Sequence, residues 1–192
     1  MGILLPMNAS NLVHSLAFGI FFSFLGYDLL FYRWYQRGNG EKDVHTSTLL
    51  QVFLSINIIY SFFCFFKGYP NNLLLMVIGL ILCLTGLFIR VWSIKTLQNF
   101  FSWKIAIQKN HELVQKGPYK IIRHPSYAGG ILAMVGFNMA LGAWPALCSF
   151  VFTYVPIVLL RIRAEEKVLG DYFKKDYEIY KRKSYFLVPF LL

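Results

Sequence analysis

The stretch LLLMVIGLILCLTGLFIRVWSIKTL, residues 73–97, decides the fold class. It carries no charge before Arg90, and it is longer than the roughly 20 residues that a helix needs to cross about 30 Å of hydrocarbon. We therefore predict a transmembrane helix here. The whole chain agrees, because 57% of its 192 residues are hydrophobic and only 15% are charged, against about 45–50% and about 25% in soluble domains. Disorder, a coiled coil and an ordinary soluble enzyme are excluded.

Four further apolar runs flank this stretch. Two longer ones precede it, at about residues 12–35 and 48–66, and two shorter ones follow it, at about residues 127–141 and 144–160. The last two are separated by Gly142-Ala143-Trp144-Pro145, and proline suits the first turn of a helix. The prediction is an all-α integral membrane protein with one membrane domain over residues 1–192. Residues 1–97 supply three transmembrane helices, and the last two of the five form a short helical hairpin.

Lysine and arginine are distributed unevenly between the loops. With five crossings, 18 of the 19 basic residues lie on one side and only Lys67 lies on the other. The positive-inside rule then predicts the N-terminus outside and the C-terminus in the cytoplasm. The connector loop from Gln98 to Pro125 and the tail after Arg161 share the cytoplasmic face. The net charge of +10 is explained by this topology, and no nucleic-acid-binding motif is present.

The tail and the cysteines make two smaller predictions. Residues 164–183 place apolar and aromatic side chains at helical spacing with lysines opposite, which predicts an amphipathic helix on the membrane interface. Packing of that helix against the chain's own loop is the alternative. The three cysteines lie singly in apolar runs, which indicates neither a disulfide framework nor a metal site.

Three polar motifs fall on the predicted cytoplasmic face: His111-Glu112-Leu113-Val114 followed by Gly117-Pro118-Tyr119, then Arg123-His124-Pro125-Ser126-Tyr127, then Arg161-Ile162-Arg163-Ala164-Glu165-Glu166. His124 lies at a helix start, where free N–H groups favour an anionic ligand, although it is also suited to capping the helix. Arg161 and Glu165 share a helix face, either as a surface ion pair or as ligand-binding groups. Glu166 points elsewhere, toward solvent or a fold contact.

The fourth apolar run is rich in small residues. They either let two membrane helices approach closely or make room for a cofactor. The residues are Ala128, Gly129, Gly130, Ala133, Gly136, Ala140 and Gly142.

Taken in order, the motifs resemble the isoprenylcysteine carboxyl methyltransferase family and its phospholipid N-methyltransferase relatives. The family pattern reads H-x-L-V-x-x-G-x-Y, then R-H-P-x-Y-x-G, then R-x-x-x-E-E and F-x-x-x-Y. The matching positions here are His111, Leu113, Val114, Gly117, Tyr119, Arg123, His124, Pro125, Tyr127, Gly129, Arg161, Glu165, Glu166, Phe173 and Tyr177. The tail differs from the family's F-G-x-x-Y, since it reads Phe173-Lys174-Lys175-Asp176-Tyr177.

The resemblance implies a membrane methyltransferase that uses S-adenosylmethionine and releases S-adenosylhomocysteine. Its cofactor-binding catalytic half would be residues 98–192, with the cofactor on the cytoplasmic side. Arg161 would bind the acceptor, and Arg161 and Glu165 would be catalytic. The cofactor contacts implied are Lys104, His111, Glu112, Leu113, Val114, Gly117, Tyr119, His124, Pro125, Ser126, Tyr127 and Glu165.

The acceptor is predicted to be a lipophilic molecule that enters from the bilayer, with a carboxylate or a thiolate as the reacting group and a carboxylate favoured. A carboxylate is already ionised at neutral pH, so the reaction needs no general base, whereas an amine acceptor would have to lose a proton. Beyond the lipid bilayer and this acceptor, we expect neither nucleic acid nor metal as a partner. Two alternatives remain open: an NADPH-dependent membrane reductase of the sterol-reductase type, and a non-enzymatic membrane scaffold.

Overall fold

The computed structural model describes residues 8–35, 44–102, 105, 107 and 111–188, and the backbone over these ranges is almost entirely helical. A π-helical turn, Phe150–Tyr154, joins α5 to α6 without a break. Within the described ranges, Ile122 and Tyr185 form an isolated parallel β-bridge. The helices are α1 Ala9–Tyr35, α2 Val44–Lys67, α3 Leu73–Leu97, α4 Pro125–Ala140, α5 Trp144–Ser149, α6 Val155–Phe173 and α7 Lys175–Lys183.

Three stretches in the described part of the chain are long and apolar enough to cross a membrane: Ser47–Lys67, Leu73–Leu97 and Trp144–Phe173. The helices α1 and α4 form where the sequence predicts them. The first contributes a shorter apolar segment, Ala9–Ser23, and α4 has 16 residues, fewer than the roughly 20 that a crossing needs. The all-helical membrane fold is confirmed, and the number of five crossings stays a prediction.

The glycines of α4 face the glycines of α3 at backbone contact. A Cβ atom built on Gly136 would lie 2.3 Å from the backbone nitrogen of Cys83, and one built on Gly129 would lie 2.6 Å from the carbonyl oxygen of Gly86. Only glycine permits so close an approach at these positions. The sequence left two explanations for these small residues, close helix packing or room for a cofactor. Helix packing explains Gly129 and Gly136, whereas Gly130 lines a cavity.

A buried polar cluster links α2 to α4 and α5. Ser61 donates a hydrogen bond to Asn138 Oδ1 (2.8 Å), and Asn57 Nδ2 donates to the carbonyl oxygen of Ala146 (2.9 Å). All three side chains are buried. Buried polar groups stabilise a structure only when they are paired, and these pairs fix how α2 packs on α4.

The C-terminal region differs from the single amphipathic helix predicted over residues 164–183. The first ten of those residues extend α6 to Phe173, and the chain then turns at Lys174, whose φ is 48°. After the turn, α7 folds back so that Tyr177 and Tyr180 are buried. The Tyr180 hydroxyl donates a hydrogen bond to the carbonyl oxygen of Tyr119 at 2.7 Å. This contact supports the alternative in which the tail packs against the chain's own loop.

Candidate active site

One cavity of about 220 Å³ brings the three polar motifs together. It lies beside the C-terminal end of α3, the start of α4 and the middle of α6. The Tyr119 turn and α7 also contribute to its wall. Ten of the predicted site residues line it: His111, Glu112, Leu113, Val114, Tyr119, His124, Ser126, Tyr127, Arg161 and Glu165.

A hydrogen-bonded chain runs from Arg161 through Tyr127 to Glu165. The Nε of Arg161 donates to the Tyr127 hydroxyl at 2.9 Å, and that hydroxyl donates to Glu165 Oε2 at 2.9 Å. The i,i+4 spacing on α6 is compatible with a direct ion pair, but the structure places the phenol of a second helix between the charges. Tyr127 therefore couples the predicted acceptor-binding residue to a predicted cofactor-binding residue.

Arg161 is buried, with 3% of its surface exposed. A charged group at membrane depth needs polar partners to offset its lost hydration. Besides Tyr127, it has Ser47 of α2, whose hydroxyl accepts a hydrogen bond from Nη1 at 2.9 Å. These contacts orient the planar guanidinium along one wall of the cavity.

Glu166 occupies a second polar cluster next to the cavity. Its Oε1 lies 2.8 Å from Arg123 Nε and 3.2 Å from His124 Nε2. Of the two roles predicted for Glu166, the fold contact is therefore observed. His124 makes no side-chain capping bond to α4, and its ring is held by Glu166 while it lines the cavity.

Arg123 ties the C-terminal segment to the start of α4. Its Nη1 donates to the carbonyl oxygens of Lys181 and Ser184, near the C-terminal end of α7. Its backbone N–H also donates to the carbonyl oxygen of Tyr185 at 2.8 Å. The segment after α7 is thereby fixed beside His124, and this side of the site depends on the fold of the tail.

Burial perturbs the titrating groups in the polar part of the cavity. Burial lowers the pKa of His111, and the negative charge of Glu165 opposes that shift. Burial, followed by the charge of Glu165, holds the pKa of the Tyr119 hydroxyl well above its ordinary value. His111 stacks on Phe100 and meets Phe173 edge to face. We therefore expect a neutral imidazole at pH 7.

Among the described residues, two predicted cofactor contacts, Gly117 and Pro125, are outside this cavity wall. Gly117 has a φ of 57° and sits against Thr96, so it shapes the turn before Tyr119. Pro125 is fully buried in the first turn of α4. Lys104 lies outside the described residues. The first two are therefore better explained by backbone geometry than by direct contact.

Arg90 and Tyr177 are among the lining residues that were missing from the predicted site. Arg90 lies on α3 with Nη1 3.4 Å from the carbonyl oxygen of Ser126, and Tyr177 lies on α7. The sequence did contain a feature that could have identified Arg90, because an arginine inside an apolar run is typical of a functional site. The sequence placed Tyr177 in a family motif but assigned it no contact.

From the polar residues, the cavity continues between the helices as an apolar arm. Leu50, Leu54 and Ile58 line it from α2, and Ile131 and Met134 line it from α4. On α2, Ser47 and Ile58 are eleven residues apart, which a rise of about 1.5 Å per residue converts to about 16 Å. The arm therefore runs deep along the bundle from the guanidinium of Arg161.

Within the described residues, no group of three His, Cys, Asp or Glu side chains is placed to hold a metal ion. Cys64 and Cys83 are free and buried, and Cys148 is free and exposed.

Comparison with known proteins places this site in a family. Residues 77–171, from α3 to α6, match the profile of the "Isoprenylcysteine carboxyl methyltransferase (ICMT) family". A relative from Bacillus subtilis, "Uncharacterized protein YpbQ", is 36% identical over 84 residues, 44% of this chain and 50% of its own length. The "Protein-S-isoprenylcysteine O-methyltransferase" of Saccharomyces cerevisiae is 33% identical over 117 residues, 60% of this chain and 49% of its own length.

A solved structure of the eukaryotic intramembrane Ras methyltransferase ICMT shares the fold. It superposes with a TM-score of 0.67 at 21% identity, over 98% of this chain and 70% of that chain. The chain belongs to the isoprenylcysteine carboxyl methyltransferase family. The matched segments span about half the length of the two relatives named above.

Proposed function

We propose that this chain is an integral membrane methyltransferase that moves a methyl group from S-adenosylmethionine to the carboxylate of a lipophilic acceptor, such as an S-prenylated cysteine. The observation that carries the proposal is the two-part cavity. Residues of the three family motifs line its polar part, its other part is an apolar arm, and Arg161 lies where the two meet. A water-soluble donor and a lipid-soluble acceptor need this combination.

The residues present fit both substrates. Glu165 and the neutral imidazole of His111 offer hydrogen-bond acceptors to the donor's hydroxyl and amino groups. Arg161 offers a planar fork of donors that matches a carboxylate. The apolar arm would hold the hydrocarbon chain, so that the carboxylate of the same molecule stays beside Arg161.

Bound S-adenosylmethionine would supply a methyl group on a positively charged sulfur. The acceptor oxygen forms the new O–CH₃ bond as the S–CH₃ bond breaks, and the bonding electrons remain on sulfur. No proton moves, so no general base is needed. Arg161, held by Tyr127 and Ser47, would orient the oxygen toward the methyl carbon, and the apolar surroundings would exclude water from both charged reactants.

We also propose that this site faces the cytoplasm, with the N-terminus on the outer side. The support is the distribution of charge, because the positive-inside rule assigns the lysine- and arginine-rich side to the cytoplasm. Lys116 and Lys120 flank Tyr119, which lines the cavity, and α7, which also lines it, ends in Lys181, Arg182 and Lys183. The methyl donor is made in the cytoplasm, which fits this orientation.

Ligand binding by the detergent-purified chain tests the proposal. We expect saturable binding of S-adenosylmethionine and S-adenosylhomocysteine and no binding of NADPH. Glu165→Gln should weaken the binding of both sulfur ligands by about 10- to 100-fold, since hydrogen bonds to a charged group contribute about 1.5–3 kcal/mol. Glu178→Gln is the matched control, because Glu178 is exposed on α7 and should leave affinity unchanged.

Methyl transfer is then measured with a small S-farnesylated cysteine derivative that has a free carboxylate. Arg161→Lys keeps the charge but loses the fork, so turnover should fall at least tenfold while donor affinity changes little. NADPH binding without donor binding would instead support the reductase, and a folded chain that binds neither ligand would support the scaffold.

A further inference from the structure

The Tyr177 hydroxyl is the unexplained polar group of the cavity. It lies on α7, its side chain is 1% exposed, and it lines the cavity. In the described part of the chain this hydroxyl has no hydrogen-bond partner. Leaving a buried hydroxyl unpaired costs about 1–3 kcal/mol, so the position needs an explanation that packing does not give.

The neighbouring tyrosine shows the contrast. Tyr180 is one turn away on α7 and is also buried, but its hydroxyl is paired with the carbonyl oxygen of Tyr119. The ring of Tyr177 packs near Gly170 of α6 and Tyr180. The ring therefore contributes to the α6–α7 contact, whereas its hydroxyl has no role within that contact.

The charges around Tyr177 restrict what it could bind. Burial raises its pKa, and the negative charges of Glu166 and Glu165 raise it further. The phenol therefore stays protonated and can donate a hydrogen bond. Arg123 and Lys181, whose Nζ lies 5.4 Å from the Tyr177 ring centroid, offset part of this negative charge. An ammonium group has no lone pair to accept the hydrogen bond, so the ligand atom must be an oxygen or nitrogen with a lone pair.

We propose that the Tyr177 hydroxyl donates a hydrogen bond to a ribose hydroxyl of the bound methyl donor, and that Glu165 accepts a hydrogen bond from the ribose diol. A ribose hydroxyl is neutral and can both accept and donate, which matches one donor and one acceptor lining the same cavity. Glu165 uses one oxygen for Tyr127 and retains lone pairs for this contact. The inference rests on the proposed function, because it assumes an adenosyl donor at this site.

The test compares Tyr177→Phe with Tyr180→Phe in the full-length, detergent-purified chain. Without ligand, Tyr177→Phe should melt at or above the wild-type temperature, because it removes an unpaired buried group. Tyr180→Phe should melt lower, because it leaves the Tyr119 carbonyl oxygen unpaired. Binding of S-adenosylhomocysteine to Tyr177→Phe should weaken by about 5- to 30-fold, which corresponds to about 1–2 kcal/mol.

Ribose analogues identify the contact. Two analogues of S-adenosylhomocysteine are compared, one without the 2′-hydroxyl and one without the 3′-hydroxyl. The analogue that lacks the contacted hydroxyl should bind wild type and Tyr177→Phe with equal affinity, because the hydrogen bond is already lost. Unchanged affinity of Tyr177→Phe for the parent ligand would overturn the proposal. The proposal would also be overturned if Tyr177→Phe lost the same affinity relative to wild type with both analogues, because the contact would then lie elsewhere, such as at an adenine nitrogen. Failure of the wild type to bind the parent ligand would instead refute the proposed function.

Discussion

The substitution Gly136→Ala tests the contact on which the site is built. Gly136 lies inside α4 at the crossing with α3. The added Cβ would be 2.3 Å from the backbone nitrogen of Cys83, 2.5 Å from the carbonyl oxygen of Gly79 and 2.8 Å from the Cα of Cys83. All three are backbone atoms, so no side-chain rotation relieves the overlap. Because nonbonded carbon contacts settle at about 3.5–4.0 Å, the two helices must separate by about 1 Å.

The cost follows from that separation. A gap of about 0.5–1 Å already forfeits a quarter to a half of each contact's attraction, and overpacking a well-filled interface costs about 1–3 kcal/mol or more. Alanine also stabilises a helix by about 1 kcal/mol relative to glycine, which offsets part of this cost. We expect a net destabilisation of about 2 kcal/mol, which for a domain of this size lowers the melting temperature by about 4–8 °C.

The assay is thermal unfolding in detergent, with Gly19→Ala as the matched control. Gly19 lies in α1, and a Cβ there would meet nothing within 4 Å, so its melting temperature should stay the same or rise slightly. Gly86→Ala should reproduce the loss, because its Cβ would lie 2.3 Å from the backbone nitrogen of Ala133. If Gly136→Ala melts like Gly19→Ala, the close α3–α4 packing is wrong. The arrangement of Arg90 beside Ser126 would then also be in doubt.

Two further predictions concern the tail and the apolar arm. Lys174 has a φ of 48° and a ψ of −116°, a backbone conformation that favours glycine. Lys174→Gly should therefore raise the melting temperature, because it relieves about 1 kcal/mol or more of backbone strain. A lower melting temperature would show that the Lys174 side chain stabilises the turn. Ile58→Trp should fill the deep part of the apolar arm, which the longer farnesyl chain would reach and the shorter geranyl chain would not. Methyl transfer to an S-farnesyl acceptor should therefore fall about tenfold more than methyl transfer to an S-geranyl acceptor, with donor affinity unchanged. Equal losses for both acceptors would show that the hydrocarbon chain lies elsewhere.

The membrane helices were predictable because one property, apolarity over a sufficient length, determines them. The third apolar run was predicted at residues 73–97 and forms α3, Leu73–Leu97. The break between α4 and α5 was likewise predictable, since α4 ends at Ala140 and α5 begins at Trp144 with Pro145 in its first turn. In each case the residue types at the boundary are also the physical cause of the boundary.

The end of α6 was not predictable in the same way. The apolar run stops near Leu160, but backbone hydrogen bonds do not depend on side-chain polarity, and the helix continues to Phe173. Its end is set by the backbone of Lys174, where the family pattern has glycine. A lysine in that position gives no sequence signal for a turn, so the predicted helix of residues 164–183 ran through it.

Most of the predicted site residues line the cavity, but the connections between them were not predictable. Spacing on one helix suggested that Arg161 and Glu165 interact directly, because sequence separation carries information about one helix only. The phenol of Tyr127 comes from α4, and its position between them depends on how α4 packs against α6. The contact of Glu166 with Arg123 has the same origin, since it joins residues that are 43 positions apart.

Arg161 illustrates why such a site costs stability. Arg161 is only 3% exposed and loses hydration, and its hydrogen bonds, among them those to the hydroxyls of Tyr127 and Ser47, offset that loss. The same contacts hold its donors in place before any acceptor arrives. In the proposed reaction this arrangement lowers the entropic cost of orienting a carboxylate toward the methyl carbon. The chain therefore retains a costly buried charge where the polar and apolar parts of the cavity meet, because an apolar residue at that position would pack well but could not orient the acceptor.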